Sequence, residues 1–155
     1  MAEIDKAQNF LGVEIREPLV TEANRLAREA NLTNLHYEFC NAMNEFGKLL
    51  ENLPEGILQT VTIQFPDPWF KKKHAKRRMV NAELVETIAK NLSEDGKIFV
   101  QTDIEFIAAE MFCLFKANKS LHEIAVEKNP FPVKTERETA VEDKNLPVYR
   151  TMFTK

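Results

Sequence analysis

Glycine is scarce in this chain: there are four in 155 residues, at positions 12, 47, 56 and 96. No two of them share a turn, so no Gly-rich loop that lets backbone cradle a ligand is encoded. Cysteine is scarcer still. Cys40 and Cys113 lie far apart and outside any CxxC or Cys/His spacing. That excludes a zinc framework, so no metal is expected, and both thiols are expected to be small buried hydrophobes in a reducing compartment. No apolar run reaches the roughly 18 residues of a membrane span, so no membrane partner is expected. The first residues, MAEIDKAQ, are polar and contain no signal-peptide core. Cytoplasmic location is the resulting expectation. Positive charge is not in excess either: 21 Lys and Arg against 24 Asp and Glu leave a net charge of −3. Nothing global announces a nucleic-acid partner, so any basic surface has to be local.

One such concentration is present. Residues 61–79 read VTIQFPDPWFKKKHAKRRM. Val61, Ile63 and Phe65 alternate with Thr62 and Gln64, the pattern of a strand apolar enough for a buried parallel sheet. Pro66 and Pro68 lack backbone N–H groups and fix their own φ, so they end the ladder and hold Asp67 in a rigid turn. Asp67 then sits at the carboxyl end of a strand, where open α/β sheets bind ligands. Trp69, the only tryptophan, follows, and residues 71–78 contain six Lys or Arg in eight positions. A charge run alone is commonly a solvated face, and Asp-Pro alone is a turn signal. Strand, fixed carboxylate, tryptophan and cations in immediate succession suit an anionic polymer outside and a reactive base within.

The length fits one domain spanning residues 1–155. Residues 9–15 read as a parallel strand with Glu14 near its end, and residues 17–30 as a helix with Pro18 in its first turn and Asn31 past its end. Residues 35–39 are a second strand, followed by Asn41 and a helix over residues 44–52. After the strand at residues 58–65, helical spacing predicts residues 79–92, then a turn at Asp95–Gly96 and a strand at residues 97–102. Asp103 follows, either as a second carboxylate at a strand end or as the N-cap of a helix over residues 104–116. Residues 121–126 read as strand, 129–139 as loop, and 146–153 as a final antiparallel strand at the far side of the sheet. Strand–helix alternation with late strands predicts an α/β fold with a mostly parallel sheet.

The segment FPDPW with its KKKHAKRR tail resembles the signature of bacterial tRNA (guanine-N7-)-methyltransferases. NFLGVEIR, CNAM, Thr102–Asp103 and TERE at residues 135–138 follow the order of that family's other segments. The resemblance implies a Rossmann-like class I methyltransferase with S-adenosylmethionine as methyl donor. Its expected reaction is methyl transfer to N7 of the variable-loop guanine of tRNA. It also implies that the first strand and its Gly-rich turn are missing, through N-terminal truncation or an internal start. Monomer and homodimer both remain open.

The same resemblance distributes roles. Asp67 is catalytic and cofactor-adjacent; Glu14 is expected on the cofactor ribose and Asn41 on the adenine. Lys71, Asp103, Thr135, Glu136, Arg137 and Glu138 are expected at the substrate, with Arg137 standing where the family has an aromatic residue. Lys73, His74, Ala75, Lys76, Arg77 and Arg78 are expected at RNA phosphates, which position a strand without reading it. Bland alternatives exist: Glu14 as a helix-dipole acid, Asn41 as a turn residue. Two other functions fit the residues less fully. One is a non-catalytic RNA-binding remnant; the other is an acid/base enzyme using Asp67 with His74.

Overall fold

The computed structural model describes residues 1–155, in two compact units, Met1–Phe46 and Gly47–Lys155. The first unit is a strand–helix–strand. β1 (Phe10–Glu14) and β2 (Leu35–Phe39) pair in parallel, from Phe10 opposite Leu35 to Glu14 opposite Phe39, and α1 (Glu17–Glu29) connects them. Pro18 lies in the first turn of α1, where a missing N–H costs nothing. Beyond its end, Asn31 takes the left-handed conformation at φ 54°, as its capping position predicts. Gly12 is obligatory for a different reason: a Cβ there would fall 2.3 Å from the Tyr37 ring. Asn24 ties α1 to β2 in both directions, donating to Tyr37 O at 2.7 Å and accepting from Tyr37 N at 2.8 Å. Buried Asn34 donates to the carbonyls of Ala2, Asp5 and Gln8 and so fastens the N-terminal segment.

α2 (Ala42–Glu51) carries the chain into the second unit, whose sheet has four strands in the order β3-β4-β6-β5. β3 (Leu58–Gln64) and β4 (Leu92–Thr102) are parallel; β6 (Tyr149–Thr154) runs antiparallel to both β4 and β5 (His122–Ile124). The expected α/β character and late antiparallel strand are therefore present. β6 is not at the far side, however. It lies inside the sheet and leaves β5 at the edge, because Thr151, Met152 and Phe153 are all buried while all three β5 residues are exposed. β4 is the central strand, with Ile98, Phe99 and Val100 fully buried. Phe115 and Phe153, also fully buried, stack at 5.2 Å. Each such side chain contributes about 1.5–3 kcal/mol by leaving water.

Four local expectations change. α3 (Ala82–Asn91) starts later than residue 79, because the Asn81 side chain accepts from Leu84 N at 2.8 Å and caps it. The Asp95–Gly96 turn lies within β4 as an irregularity, where partners jump from Leu58–Leu92 to Thr60–Lys97. α5 (Glu136–Glu142) begins inside the expected 129–139 loop. Cys113 is exposed on α4 (Glu105–Ala117), whereas Cys40 is buried. No helix is long and apolar enough to cross a membrane.

Candidate active site

The site in the second unit starts where β3 stops. Phe65 N makes a last ladder bond to Gln101 O at 2.8 Å. Phe65 and Trp69 then take positive φ, 51° and 43°, on either side of Pro66, Asp67 and Pro68. Neither residue is glycine, so each position stores about 1–3 kcal/mol that its surroundings must hold. Arg78 does the holding. Its Nε donates to Pro68 O at 3.1 Å, its Nη2 reaches Trp69 O at 3.5 Å, and its Nη1 is ion-paired with Glu110 of α4. Its guanidinium also lies 5.1 Å from the centre of the Phe106 ring. With a side chain only 16% exposed, Arg78 clasps the Asp67 loop and is not available to an RNA phosphate as expected.

Most of the rest of the cationic run lies in solvent. Residues Lys72–Arg77 form a short 3-10 turn, in which His74 meets Trp69 edge-on at 5.6 Å. Lys71, Lys73, Lys76 and Arg77 are exposed, with Arg77 resting on Trp69 at 5.1 Å; Ala75 is half-buried between them in sequence.

An open cleft of about 470 Å³ lies at the carboxyl ends of β3 and β4. Asp67, Phe70, Asp103, Thr135 and Arg137 line it together with Gln64. Asp103 does not cap α4: the cap position, Ile104, has no side-chain bond, and the Asp103 carboxylate is ion-paired with Arg137. The pair spans two chain segments and puts a guanidinium in the cleft that both carboxylates line. Arg137, which departs from the family's aromatic residue, thus has a polar partner inside the cleft.

Thr135 caps α5 by accepting from Glu138 N at 3.1 Å. T-x-x-E is the spacing of a capping box, a signal legible in the sequence and missed there. Glu136 is exposed and outside the cleft lining. Glu138 is fully buried beneath it: its Oε2 accepts from Gln101 at 3.0 Å and Asn129 at 2.6 Å, and its Oε1 from Arg150 at 3.3 Å. Gln101 also donates to Gln64 at 2.7 Å and accepts from Arg150 Nε at 3.3 Å. The structure thus places Glu138 as the counter-ion of Arg150 under the cleft, with every buried side-chain polar atom satisfied. Arg150, Gln101 and Asn129 were not anticipated at all.

In the first unit, Glu14 and Asn41 stand at the same ends of adjacent parallel strands, with Cys40 N bonded to Glu14 O at 3.0 Å. The Arg16 guanidinium and backbone N–H bond to Glu14 at 2.9–3.2 Å and hold its carboxyl below the usual carboxylate range. Arg16 thereby takes three of the acceptor positions of this carboxylate. Asn41 spends its Oδ1 on Met43 N at 3.2 Å, which leaves its amide as donor. A carboxylate that accepts and an amide that donates, at neighbouring strand ends, fit the ribose hydroxyls and adenine nitrogens of S-adenosylmethionine. No group of three His, Cys, Asp or Glu is placed to hold a metal.

A mixed α/β unit with its cleft at the strand carboxyl ends is the architecture of class I S-adenosylmethionine-dependent methyltransferases. The fold resembles a solved SAM-dependent O-methyltransferase of Thermotoga maritima, with a TM-score of 0.58 at 13% identity over 99% of this chain and 52% of that one. Residues 1–151 match the family model described as "Putative methyltransferase". The chain is 52% identical to a tRNA (guanine-N(7)-)-methyltransferase of Trichormus variabilis, over 99% of its own length and 73% of the relative's. It is 51% identical to one of Synechococcus elongatus, again over 99% and 73%. The chain belongs to the tRNA (guanine-N(7)-)-methyltransferase family.

Proposed function

We propose that this protein methylates N7 of a guanine in tRNA, with the cleft at Asp67 as the guanine site and the exposed cations of residues 71–77 as the phosphate contacts. The carrying observation is the convergence of Asp67, Asp103 and Arg137 in one cleft beside those cations. S-adenosylmethionine, when bound, supplies an electrophilic methyl group. Guanine N7 has a lone pair and no proton, so no residue has to act as a base. What the chain's residues contribute is alignment and charge. Asp67, exposed at the cleft, can accept from the guanine N1–H and N2–H and offset positive charge growing on the purine. Thr135 and Arg137 can bond the base or its ribose from the opposite wall. Glu14 and Asn41 serve the adenosine end, and the whole chain works as one methyltransferase domain. Acting on tRNA, the protein would work in the cytoplasm, as a monomer or homodimer.

The test is transfer of labelled methyl from S-adenosylmethionine to unmodified tRNA. Asp67→Ala should cut turnover by about a hundredfold or more while stability changes by less than about 1 kcal/mol, since the residue is an exposed loop position. Near-normal turnover in both Asp67→Ala and Asp67→Asn would move the catalytic role to Asp103.

A further inference from the structure

Phe70 is the most exposed large apolar side chain of the protein, at 67%, and it lines the cleft beside Asp67 and Asp103. Its ring lies 6.0 Å from that of Phe106, tilted by 59°, and Phe106 is itself 43% exposed on the first turn of α4. Leaving two neighbouring phenylalanines in water forgoes burial that would stabilise the fold, so the fold does not explain them. Arg78 links the two segments. It lies over Phe106 and bonds to the carbonyl of Trp69, the residue before Phe70. The rings therefore lie side by side where Arg78 ties the loop to α4.

Lys71, Lys72 and Lys73 follow Phe70 directly and are exposed. Charge and aromatic surface thus adjoin, the combination by which proteins hold single-stranded nucleic acid: cations track the phosphates while bases stack on rings. A guanine enters a concave cleft only by leaving its own stack, and an aromatic face replaces part of the stacking that is lost. We propose that Phe70 and Phe106 form a stacking shelf for an unstacked nucleobase of the RNA strand that delivers the guanine. This rests on the tRNA reading above. Any base has a π-face, so the shelf adds affinity without choosing sequence.

Binding of unmodified tRNA to the full chain, measured over a range of salt, tests the shelf. Phe70→Leu keeps an apolar side chain but removes the ring; it should weaken binding by about fivefold to a hundredfold and leave the salt slope unchanged, because no phosphate contact is lost. Phe70→Tyr should bind within about twofold of the unaltered chain, and Phe106→Leu should show a smaller loss than Phe70→Leu. Unaltered affinity in Phe70→Leu, or an equal loss in Phe70→Tyr, would overturn the shelf alone. No tRNA binding by the unaltered chain would overturn the tRNA reading and the shelf together. Circular-dichroism melting keeps the comparison fair, since an exposed ring should be replaceable without loss of fold.

Discussion

Two charged regions of this protein have opposite fates. The run at residues 71–77 keeps its cations in solvent, with Arg77 touching only the Trp69 ring. The cluster around Glu138 and Arg150 is as rich in polar groups, yet Glu138 is fully buried and Arg150 nearly so, at 9% exposed. Solvent makes the first region available to a partner; burial makes the second a part of the fold. The boundary runs inside the motifs themselves. Arg77 and Arg78 are adjacent, but one faces out and the other clasps the Asp67 loop. Glu136 and Glu138 share one helical turn and divide in the same way. A charged motif residue is therefore a ligand contact only where its charge is not already spent.

Substitutions can break that comparison, and the largest effect is expected in the buried cluster. Glu138→Ala leaves Arg150 with only the part-exposed Glu142 as counter-ion, takes an acceptor from Gln101 and Asn129, and should cost about 2–4 kcal/mol in urea unfolding, whereas Glu136→Ala should stay within about 0.5 kcal/mol. Similar small losses in both would mean that water replaces the Glu138 carboxylate. The arginine pair should separate next. Arg78→Ala removes charge-assisted bonds to the loop and should cost about 2 kcal/mol and lower turnover, with the salt dependence of tRNA binding unchanged. Arg77→Ala should leave stability alone and reduce the salt slope by about one. Identical slopes in the two variants would erase the distinction.

The smallest effect concerns acid. Lys134 first, and then Arg150, hold the Glu142 carboxyl below its ordinary range. A depressed folded value means that this contribution is complete above the unfolded value, near pH 4.3, and is lost as pH falls through the lower folded one. Glu142→Gln should therefore lower stability slightly at neutral pH and flatten its pH dependence below about pH 4, where the two proteins converge. A parallel acid limb in the variant would assign the acid loss to other carboxylates.

Strand ends were the most legible part of the chain. Periodicity placed β1, β2 and β3 within a residue or so, and the two prolines located Asp67 correctly at the end of β3. The start of α3 was legible in principle, since Asn81 is a capping residue, but Val80 and Met79 extended the helical pattern past it. Arg78 could not be told from Arg77, because their difference arises from Pro68, Trp69 and Glu110, and only the last element is fixed by a remote helix. The Glu138 cluster was invisible for the same reason. Its partners Gln101 and Arg150 come from β4 and β6, brought together by a sheet order that leaves no periodic trace. The Phe70–Phe106 pair joins residues from a loop and a helix, and neither position stood out alone.

The arrangement around Trp69 also has an optical meaning. It is the protein's sole indole, and two side chains of the cationic run contact it: Arg77 over its face and His74 at its edge. A phosphate that draws Arg77 away alters the electric field on that ring and with it the colour and yield of its emission. The cationic surface therefore carries its own dye, read without background from any second tryptophan and without a label attached.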